Sequence, residues 1–165
     1  MSQSRSDGLM YRLMSRLNPR IAQNYQKGIG PTRVVLLLTT TGRKSGLPRV
    51  TPLQYEELEG DYLIGSARGA QADWYRNIQA NPQVEVQLGE RRWRGMAEPV
   101  DDPRRVADFL ELRKKRHPFF IGLVMRLEGL PWRYSRQDLE RFAAQKALVI
   151  IRPQTELSNP DMFNA

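Results

Sequence analysis

Cysteine is absent from this chain, and histidine occurs once, at His117. Without cysteine the protein has no disulfide bonds, thiolate zinc sites, iron–sulfur clusters or cysteine nucleophiles. A single histidine also excludes metal sites built from several histidines and argues against a serine–histidine catalytic triad. The composition therefore excludes the metalloenzymes and thiol enzymes that depend on these residues.

Long hydrophobic runs are absent as well. No uninterrupted apolar run is longer than the five residues at 34–38, which is the length of a strand and far short of the ~20 residues that span a bilayer as a helix. Residues 1–7 are polar and lack the apolar centre and cleavage site of a signal peptide. These absences predict a cytoplasmic protein without a membrane-spanning helix.

Positive charge is what the chain has in excess. Lysine and arginine number 26 against 18 aspartate and glutamate, which gives a formal charge of +8 at pH 7. Such an excess favours an anionic partner. Nucleic acid is not expected, because the cations are spread along the chain and neither a recognition helix nor a pattern of stacking aromatic residues occurs.

Residues 1–30 are predicted to form an amphipathic helix and a linker. Leu9, Leu13 and Leu17 recur at helical spacing beside basic residues. Two interpretations of this apolar stripe stay open. It either packs on the rest of the domain, or it places residues 5–21 weakly on the inner face of the cell membrane through anionic headgroups.

Residues 31–165 are predicted to form one α+β domain. The predicted strands cover residues 33–41, 50–58, 61–67, 84–88, 91–100 and 147–151. The predicted helices cover residues 72–80, 103–117, 119–127 and 136–145. Short loops predict two hairpins, the first joining 50–58 to 61–67 and the second joining 84–88 to 91–100. Because strands and helices do not alternate regularly, an antiparallel sheet is expected instead of a Rossmann sheet.

The most informative segment is TTTGRKSGLPRVTP at residues 39–52. Gly42 and Gly46 permit a tight loop in which backbone N–H groups and side chains can point at one anion. This loop and the following strand present three cations and a hydroxyl, namely Arg43, Lys44, Ser45 and Arg49. The alternative interpretation is an ordinary basic hairpin turn without a ligand. The pattern is not that of a Walker A loop.

Together with GSARGAQADWYRNIQANPQVEVQL at residues 65–88, this segment resembles the deazaflavin-dependent nitroreductases, whose members bind coenzyme F420. The resemblance extends from about residue 34 to residue 100. It implies a split β-barrel of antiparallel strands with peripheral helices. It also implies an oxidoreductase that transfers a hydride from the reduced deazaflavin to an electron-poor acceptor, such as a quinone or a nitro compound.

The resemblance implies two groups of cofactor-binding residues. The first group follows the loop and the next strand and comprises Arg43, Lys44, Ser45, Pro48, Arg49, Val50, Thr51, Pro52 and Leu53. The second group comprises Ala67, Arg68, Gly69, Trp74 and Asn77. The cations suit the phosphate and the glutamate tail of the coenzyme. Core packing would equally explain Trp74, and a capping role in its own helix would explain Asn77.

Proton delivery to the acceptor has several candidates. Tyr55, Tyr134 and Ser66 are the predicted catalytic residues, with His117 as a further candidate, and each is also compatible with a structural role. Several relatives carry a serine where this chain has Ala67. A displacement by one residue turns a strand side chain to the opposite face, so the role of that serine does not transfer directly to Ser66.

The apolar segment at residues 117–134 suits the wall of an acceptor site, although plain core packing would explain the same composition. Two alternative functions remain open. The chain is an oxidoreductase that binds FMN in place of the deazaflavin, because the two ring systems are nearly isosteric, or it is a carrier of the deazaflavin without catalysis. No metal is expected.

Overall fold

The computed structural model of this protein describes residues 35–157, so the predicted N-terminal helix and linker at residues 1–30 lie outside the described residues. The strands are β1 (Val35–Thr41), β2 (Pro48–Gln54), β3 (Glu56–Leu58), β4 (Asp61–Ser66), β5 (Gln83–Leu88), β6 (Arg91–Val100) and β7 (Ala147–Leu157). The helices are α1 (Asp73–Ala80), α2 (Pro103–Arg116), α3 (Pro118–Leu127) and α4 (Arg136–Ala143), with a 3₁₀ turn at Gly69–Gln71.

All of these strands belong to one antiparallel sheet in the order β2-β1-β5-β6-β7-β4-β3. The two edge strands, β2 and β3, are consecutive in the chain and are separated only by Tyr55. One residue spans at most ~3.6 Å, whereas a flat sheet of this size is ~29 Å wide. The sheet must therefore curl until its edges meet. This confirms the predicted split β-barrel.

The predicted hairpin between residues 50–58 and 61–67 is wrong in part. The first segment divides at Tyr55, so that β2 pairs with β1 and only β3 pairs with β4. Pro48 and Pro52 have no backbone N–H group to donate. An interior strand forms hydrogen bonds with a neighbour on each side, so these prolines suit β2 to the edge of the sheet. The second hairpin, β5 with β6, is confirmed, and its turn contains Gly89 at a positive φ of 63°.

The sheet separates two apolar layers. Leu36, Ile64 and Val86 face the barrel interior and are fully buried. Leu63 lies next to Ile64 on β4 but faces the other side, where α2, α3 and α4 pack around Phe109. Because strand side chains alternate between the two faces, one face supplies the barrel core and the other supplies the apolar surface against which the helices pack.

The helix boundaries follow the capping residues that the sequence contains. The Asp102 carboxylate accepts a hydrogen bond of 3.0 Å from the backbone N–H of Arg104, and Pro103 occupies the first turn of α2. Ser135 and Asp138 form a capping box at the start of α4. Within residues 35–157, none of the helices has the length and apolar character that crossing a bilayer requires.

Strand β7 is longer than predicted. It continues past Ile151 to Leu157 and pairs with β6 along this whole length. The extension is polar, so no apolar alternation marks it in the sequence. Backbone hydrogen bonds to β6 define it instead.

Candidate functional site

Residues 42–49, which form the loop between β1 and β2 and the first two residues of β2, are here called the cation loop. It is closed by two backbone hydrogen bonds, from Gly42 N to Leu47 O at 2.8 Å and from Gly46 N to Gly42 O at 2.7 Å. A Cβ atom on Gly42 would lie 2.7 Å from Ser45 Oγ and 3.1 Å from Leu47 O. Gly46 has a φ of +69°. Both glycines are therefore required by the tight course of the loop.

Arg43 fastens the cation loop to helix α1. Its Nη2 lies 2.9 Å from Asp73 Oδ1, and its Nη1 donates to Asn77 Oδ1 at 3.1 Å. The backbone N–H of Arg43 donates to the same amide oxygen at 3.2 Å. The hydrogen bond from Arg43 lowers the pKa of the Asp73 carboxyl. The two groups of residues that resemble the coenzyme-binding motifs are thereby joined at Arg43.

Asn77 is the buried partner in this junction. Besides accepting from Arg43, its amide donates from Nδ2 to Thr40 Oγ1 on β1 at 3.2 Å. A carboxamide carries acceptor and donor on one planar group, which is what this position between loop and strand requires. The side chain therefore holds β1 and the loop, and it is the backbone carbonyl of Asn77 that accepts from Asn81 at the end of α1.

Lys44 and Arg49 are the two cations of the cation loop whose side chains are available to bind a ligand. Within residues 35–157 neither side chain has an ion pair or a hydrogen bond, and both residues are exposed. Ser45 accepts a hydrogen bond from Leu47 N at 3.3 Å, so its hydroxyl oxygen helps to shape the turn. The loop thus presents two positive charges on a backbone that its other residues hold in place.

The remaining predicted residues of the first group alternate between the faces of β2. Directly paired residues in an antiparallel sheet point to the same side. Thr51 is paired with Leu38 and Leu53 with Leu36, so both point to the barrel side of the sheet. Arg49, paired with Thr40, lies on the same side but is exposed near the start of β2. The opposite face carries Pro48, Val50 and Pro52. A ligand on one face of β2 contacts the side chains of only one of these two sets.

The second predicted group begins where β4 ends. Ala67 and Arg68 are exposed there, whereas Gly69 is buried with a φ of +57°. A Cβ on Gly69 would lie 2.8 Å from Gln145 O, so this glycine permits a close backbone contact. Trp74 is half-buried, packs against the barrel core and meets the Tyr75 ring edge-on at 6.1 Å. Its contacts match the core-packing interpretation.

Ser66 is committed to the turn after β4. The residue is buried on the barrel side of the strand, and its hydroxyl donates to Gly69 O at 2.8 Å. This bond closes the turn that leads into the 3₁₀ segment. Ser66 therefore has a structural function in the described fold.

Tyr55, at the junction of β2 and β3, lines a cavity of about 420 Å³. Burial raises the pKa of the Tyr55 phenol above its ordinary value of 10.0, and the neighbouring Tyr62 and Glu57 add to this effect. The Tyr62 ring lies 5.5 Å from the Tyr55 ring. The other residues around the cavity are Gln54, Glu56, Glu57, Arg113, Arg116, His117, Phe120 and Ile121.

A buried carboxylate on the cavity wall binds the end of α2. Glu56 Oε1 lies 3.3 Å from Arg113 Nε and 3.2 Å from His117 Nε2, while Oε2 lies 3.1 Å from Arg116 Nη1. Sequence reasoning missed this cluster. The basic residues at the end of α2 were a visible signal, but their acceptor is some sixty residues earlier in the chain. His117, a candidate proton donor, is thus a partner of Glu56.

Tyr134 lies in different surroundings from Tyr55. Its phenol oxygen accepts a hydrogen bond from Lys114 Nζ at 2.7 Å, and its ring packs against the helical layer. The predicted catalytic residues therefore do not converge. Tyr55 borders the cavity, Tyr134 belongs to the helical layer and Ser66 closes a turn.

Comparison with protein families places these features in context. The family profile described as F420H(2)-dependent quinone reductase matches residues 10–122. This chain belongs to that family. The F420-related family expected from the two motifs is thereby confirmed.

Among the relatives of this family member, the F420H(2)-dependent quinone reductase Rv1261c of Mycobacterium tuberculosis H37Rv is 43% identical over 68 residues. The match covers 39% of this chain and 46% of the relative, so the chain spans about half the length of the curated relatives it matches. The F420H(2)-dependent quinone reductase MT1299 of M. tuberculosis CDC 1551 matches to the same extent.

Solved structures share the architecture. The heme storage protein HutZ of Vibrio cholerae superposes with a TM-score of 0.52 at 20% identity, covering 86% of this chain and 93% of HutZ. The conserved M. tuberculosis protein Rv2991 also gives 0.52, at 15% identity, covering 82% and 81% of the two chains. At these identities the likeness concerns the fold of this F420H(2)-dependent quinone reductase family member and not its ligand.

Proposed function

We propose that this protein is an oxidoreductase that uses reduced coenzyme F420 to reduce a quinone. The observation that carries the proposal is the pair of exposed cations, Lys44 and Arg49, on a loop that Arg43 and Asn77 hold against α1. Membership of the quinone reductase family supports the same assignment. A nitro compound is a second class of acceptor that the motif resemblance implies.

The cation loop fits an anionic cofactor. Lys44 and Arg49 would hold the phosphate and the glutamate tail of F420, since a preorganised charge-assisted hydrogen bond is worth ~1.5–3 kcal/mol. Arg43, whose guanidinium is engaged with Asp73 and Asn77, would position the loop instead of binding the anion. Thr51 and Leu53 would line the inner face beside the cofactor.

When bound, F420 supplies the hydride from C5 of its deazaflavin ring. The chain binds and orients the reactants and excludes water from them. Tyr55 is the best placed proton donor among the predicted residues, because it borders a cavity and its phenol, like an ordinary tyrosine, is protonated at neutral pH. We assign the acceptor to this cavity and the proton transferred to the quinone oxygen to the Tyr55 phenol.

A titration with both cofactors tests the proposal. The protein should bind F420 more tightly than FMN, because the loop carries more positive charge than one phosphate requires. Lys44→Ala and Arg49→Ala should each weaken F420 binding by about 10- to 150-fold, which corresponds to the loss of ~1.5–3 kcal/mol. Arg94→Ala, an exposed change on β6, is the matched control and should leave the affinity within twofold.

The outcomes distinguish the alternatives. Equal or tighter binding of FMN would identify an FMN-dependent oxidoreductase and refute the assignment of the cofactor. If the protein binds F420 but does not accelerate the oxidation of reduced F420 by any quinone or nitro compound, it is a carrier. A lower melting temperature for the Lys44 and Arg49 variants with unchanged affinity of the folded fraction would assign both residues to structure.

The cellular location belongs to this proposal too. We propose a cytoplasmic enzyme whose residues 5–21 make weak contact with the inner face of the membrane, as the basic and apolar pattern of that segment suggests. These residues lie outside the described part of the structure. Sequence pattern alone supports this contact.

A further inference from the structure

Helix α3 presents an apolar face that the rest of the described structure leaves exposed. On its inner side Ile121 and Met125 are buried in the helical layer. With ~100° of rotation per residue, the exposed large apolar side chains of α3 fall within a sector about 100° wide on the opposite side. We call this surface the α3 face and define it by Phe119, Phe120, Leu123 and Leu127 together with Trp132, which follows the helix.

The exposure of these side chains is unusually high for their size. Phe119 is 92% exposed, Trp132 78% and Leu127 74%. Isolated exposed apolar residues, such as Leu47 and Leu58 on other parts of the surface, are normal in folded proteins. A continuous group of this kind marks an interaction surface. The core-packing interpretation of residues 117–134 therefore holds for the inner side of α3, for Leu130 and for Tyr134, but not for the α3 face.

Positive charge surrounds the α3 face. Within residues 35–157, Lys115 and Arg133 have no ion-pair or hydrogen-bond partner, and the Arg126 guanidinium lies 4.4 Å from the centre of the Trp132 ring. Glu128 is the single acidic residue between positions 113 and 133. It is neutralised by Lys146 at 2.7 Å. Residues 113–133 thus contribute unpaired cations and no unpaired carboxylate to the rim. Glu57, which lines the cavity together with Phe120, is an exposed carboxylate without an ion pair among residues 35–157.

We propose that the α3 face docks on the surface of a bilayer that contains anionic lipids. The apolar side chains would enter the boundary between headgroups and acyl chains, with the Trp132 ring at headgroup level and the cations against lipid phosphates. A second copy of the chain fits less well. A two-fold contact would bring together two rims whose unpaired cations, Lys115 and Arg133, outnumber the one unpaired carboxylate, Glu57, identified beside the face among residues 35–157.

The position of the α3 face gives the docking a consequence. Phe120 and Ile121 belong to α3 and also line the cavity beside Tyr55. A lipid-soluble quinone would then reach the cavity from the bilayer without crossing water. This consequence rests on the proposed function, whereas the docking itself does not.

Vesicle flotation of the full chain, without F420 or an acceptor, tests the docking separately from the reaction. The protein should float with phosphatidylcholine vesicles that contain phosphatidylglycerol and remain unbound with phosphatidylcholine alone. The double variant Phe119→Ser/Leu123→Ser should lower the partition coefficient at least tenfold. Leu58→Ser, an exposed apolar change on β3, is the matched control and should stay within twofold.

The cationic rim is tested in the same assay. Lys115→Gln/Arg133→Gln should lower partitioning at least threefold, because two contacts with anionic headgroups are lost. Arg94→Gln removes an exposed cation from β6 and should have less than a twofold effect. Equal losses in both variants would show general charge attraction without a defined face and would overturn the proposal.

Tryptophan fluorescence gives a readout that does not require a destabilising variant. Trp93 is buried and Trp74 is half-buried, whereas Trp132 is exposed. Anionic vesicles should shift the emission to the blue, and Trp132→Phe should abolish this shift. The proposal is wrong if the parent protein does not float, or if the Phe119/Leu123 variant floats like the parent. It is also wrong if that variant converts a dimer into a monomer in the absence of lipid, because the face would then join two copies.

Discussion

Asn77 connects three parts of the candidate site through one side chain. Its amide accepts from the backbone and the guanidinium of Arg43 and donates to Thr40 Oγ1. The residue is 5% exposed, so water does not replace a lost partner. Arg43 and Lys44 are neighbours in sequence but have different functions in this arrangement, since Arg43 fixes the loop and Lys44 remains available to a ligand.

Replacing Asn77 should therefore affect stability as well as binding. Asn77→Ala leaves the Arg43 N–H and the Thr40 hydroxyl without this partner, which should lower the free energy of unfolding by ~1–3 kcal/mol. Gln79→Ala, an exposed change on the same helix, should stay within ~0.5 kcal/mol of the parent. Urea unfolding at pH 7 measures both. Equal unfolding free energies for the two variants would contradict the anchoring function of Asn77.

At the scale of elements, two glycines show how context decides the effect of one methyl group. Gly69 begins the 3₁₀ turn with a φ of +57°, and an added Cβ would lie 2.8 Å from the Gln145 carbonyl oxygen. Gly122 lies inside α3, where nothing is found within 4 Å of the position of an added Cβ. The first position requires glycine for its backbone, whereas the second carries the helix-weakening effect of glycine without a steric reason.

The same substitution should thus have opposite signs at the two sites. Gly69→Ala should destabilise the fold by ~1–3 kcal/mol through its strained conformation and close contact. Gly122→Ala should stabilise it by ~0.4–1 kcal/mol through reduced entropy of the unfolded chain. Chemical denaturation of both variants checks the signs. A stabilising change at Gly69 would show that the turn relaxes easily and that its close contact is unimportant.

For the whole molecule, ion pairs connect the helical layer to the sheet. Glu98 on β6 binds Arg105 of α2 at 2.7 Å and Arg152 of β7 at 2.7 Å. Hydrogen bonds from Arg105 and Arg152 lower the pKa of the Glu98 carboxyl below its ordinary value of 4.5. A lowered folded-state pKa means that the pairing stabilises the fold above that ordinary value and that this contribution is lost as the pH falls below it.

Glu98→Gln should accordingly lower the melting temperature at pH 7, and the difference from the parent should shrink as the pH falls below about 4.5. Glu90→Gln, in the exposed turn between β5 and β6, is the control and should follow the parent curve. Calorimetric scans from pH 7 to pH 3 measure the effect. A difference that stays constant over this range would show that Glu98 acts through packing and not through its charge.

The sequence by itself determined the local elements and the family. The predicted helices at residues 72–80, 103–117 and 136–145 agree with the observed boundaries to within two residues. These features depend on periodicity and on hydrogen bonds within a few residues, which a single sequence records. The two motifs likewise indicated the F420-related family, because residue identity and spacing are visible without coordinates.

Only the tertiary structure decided which distant residues meet. The division of a predicted strand at Tyr55, the binding of Arg43 by Asn77 and the burial of Glu56 among basic residues all join positions that are remote in the chain. Composition predicted an apolar segment at residues 117–134 but not that α3 would turn half of it to the outside. The physical reason is that pairing and burial depend on the closure of the sheet and on the layer packed against it, and local sequence patterns do not record either.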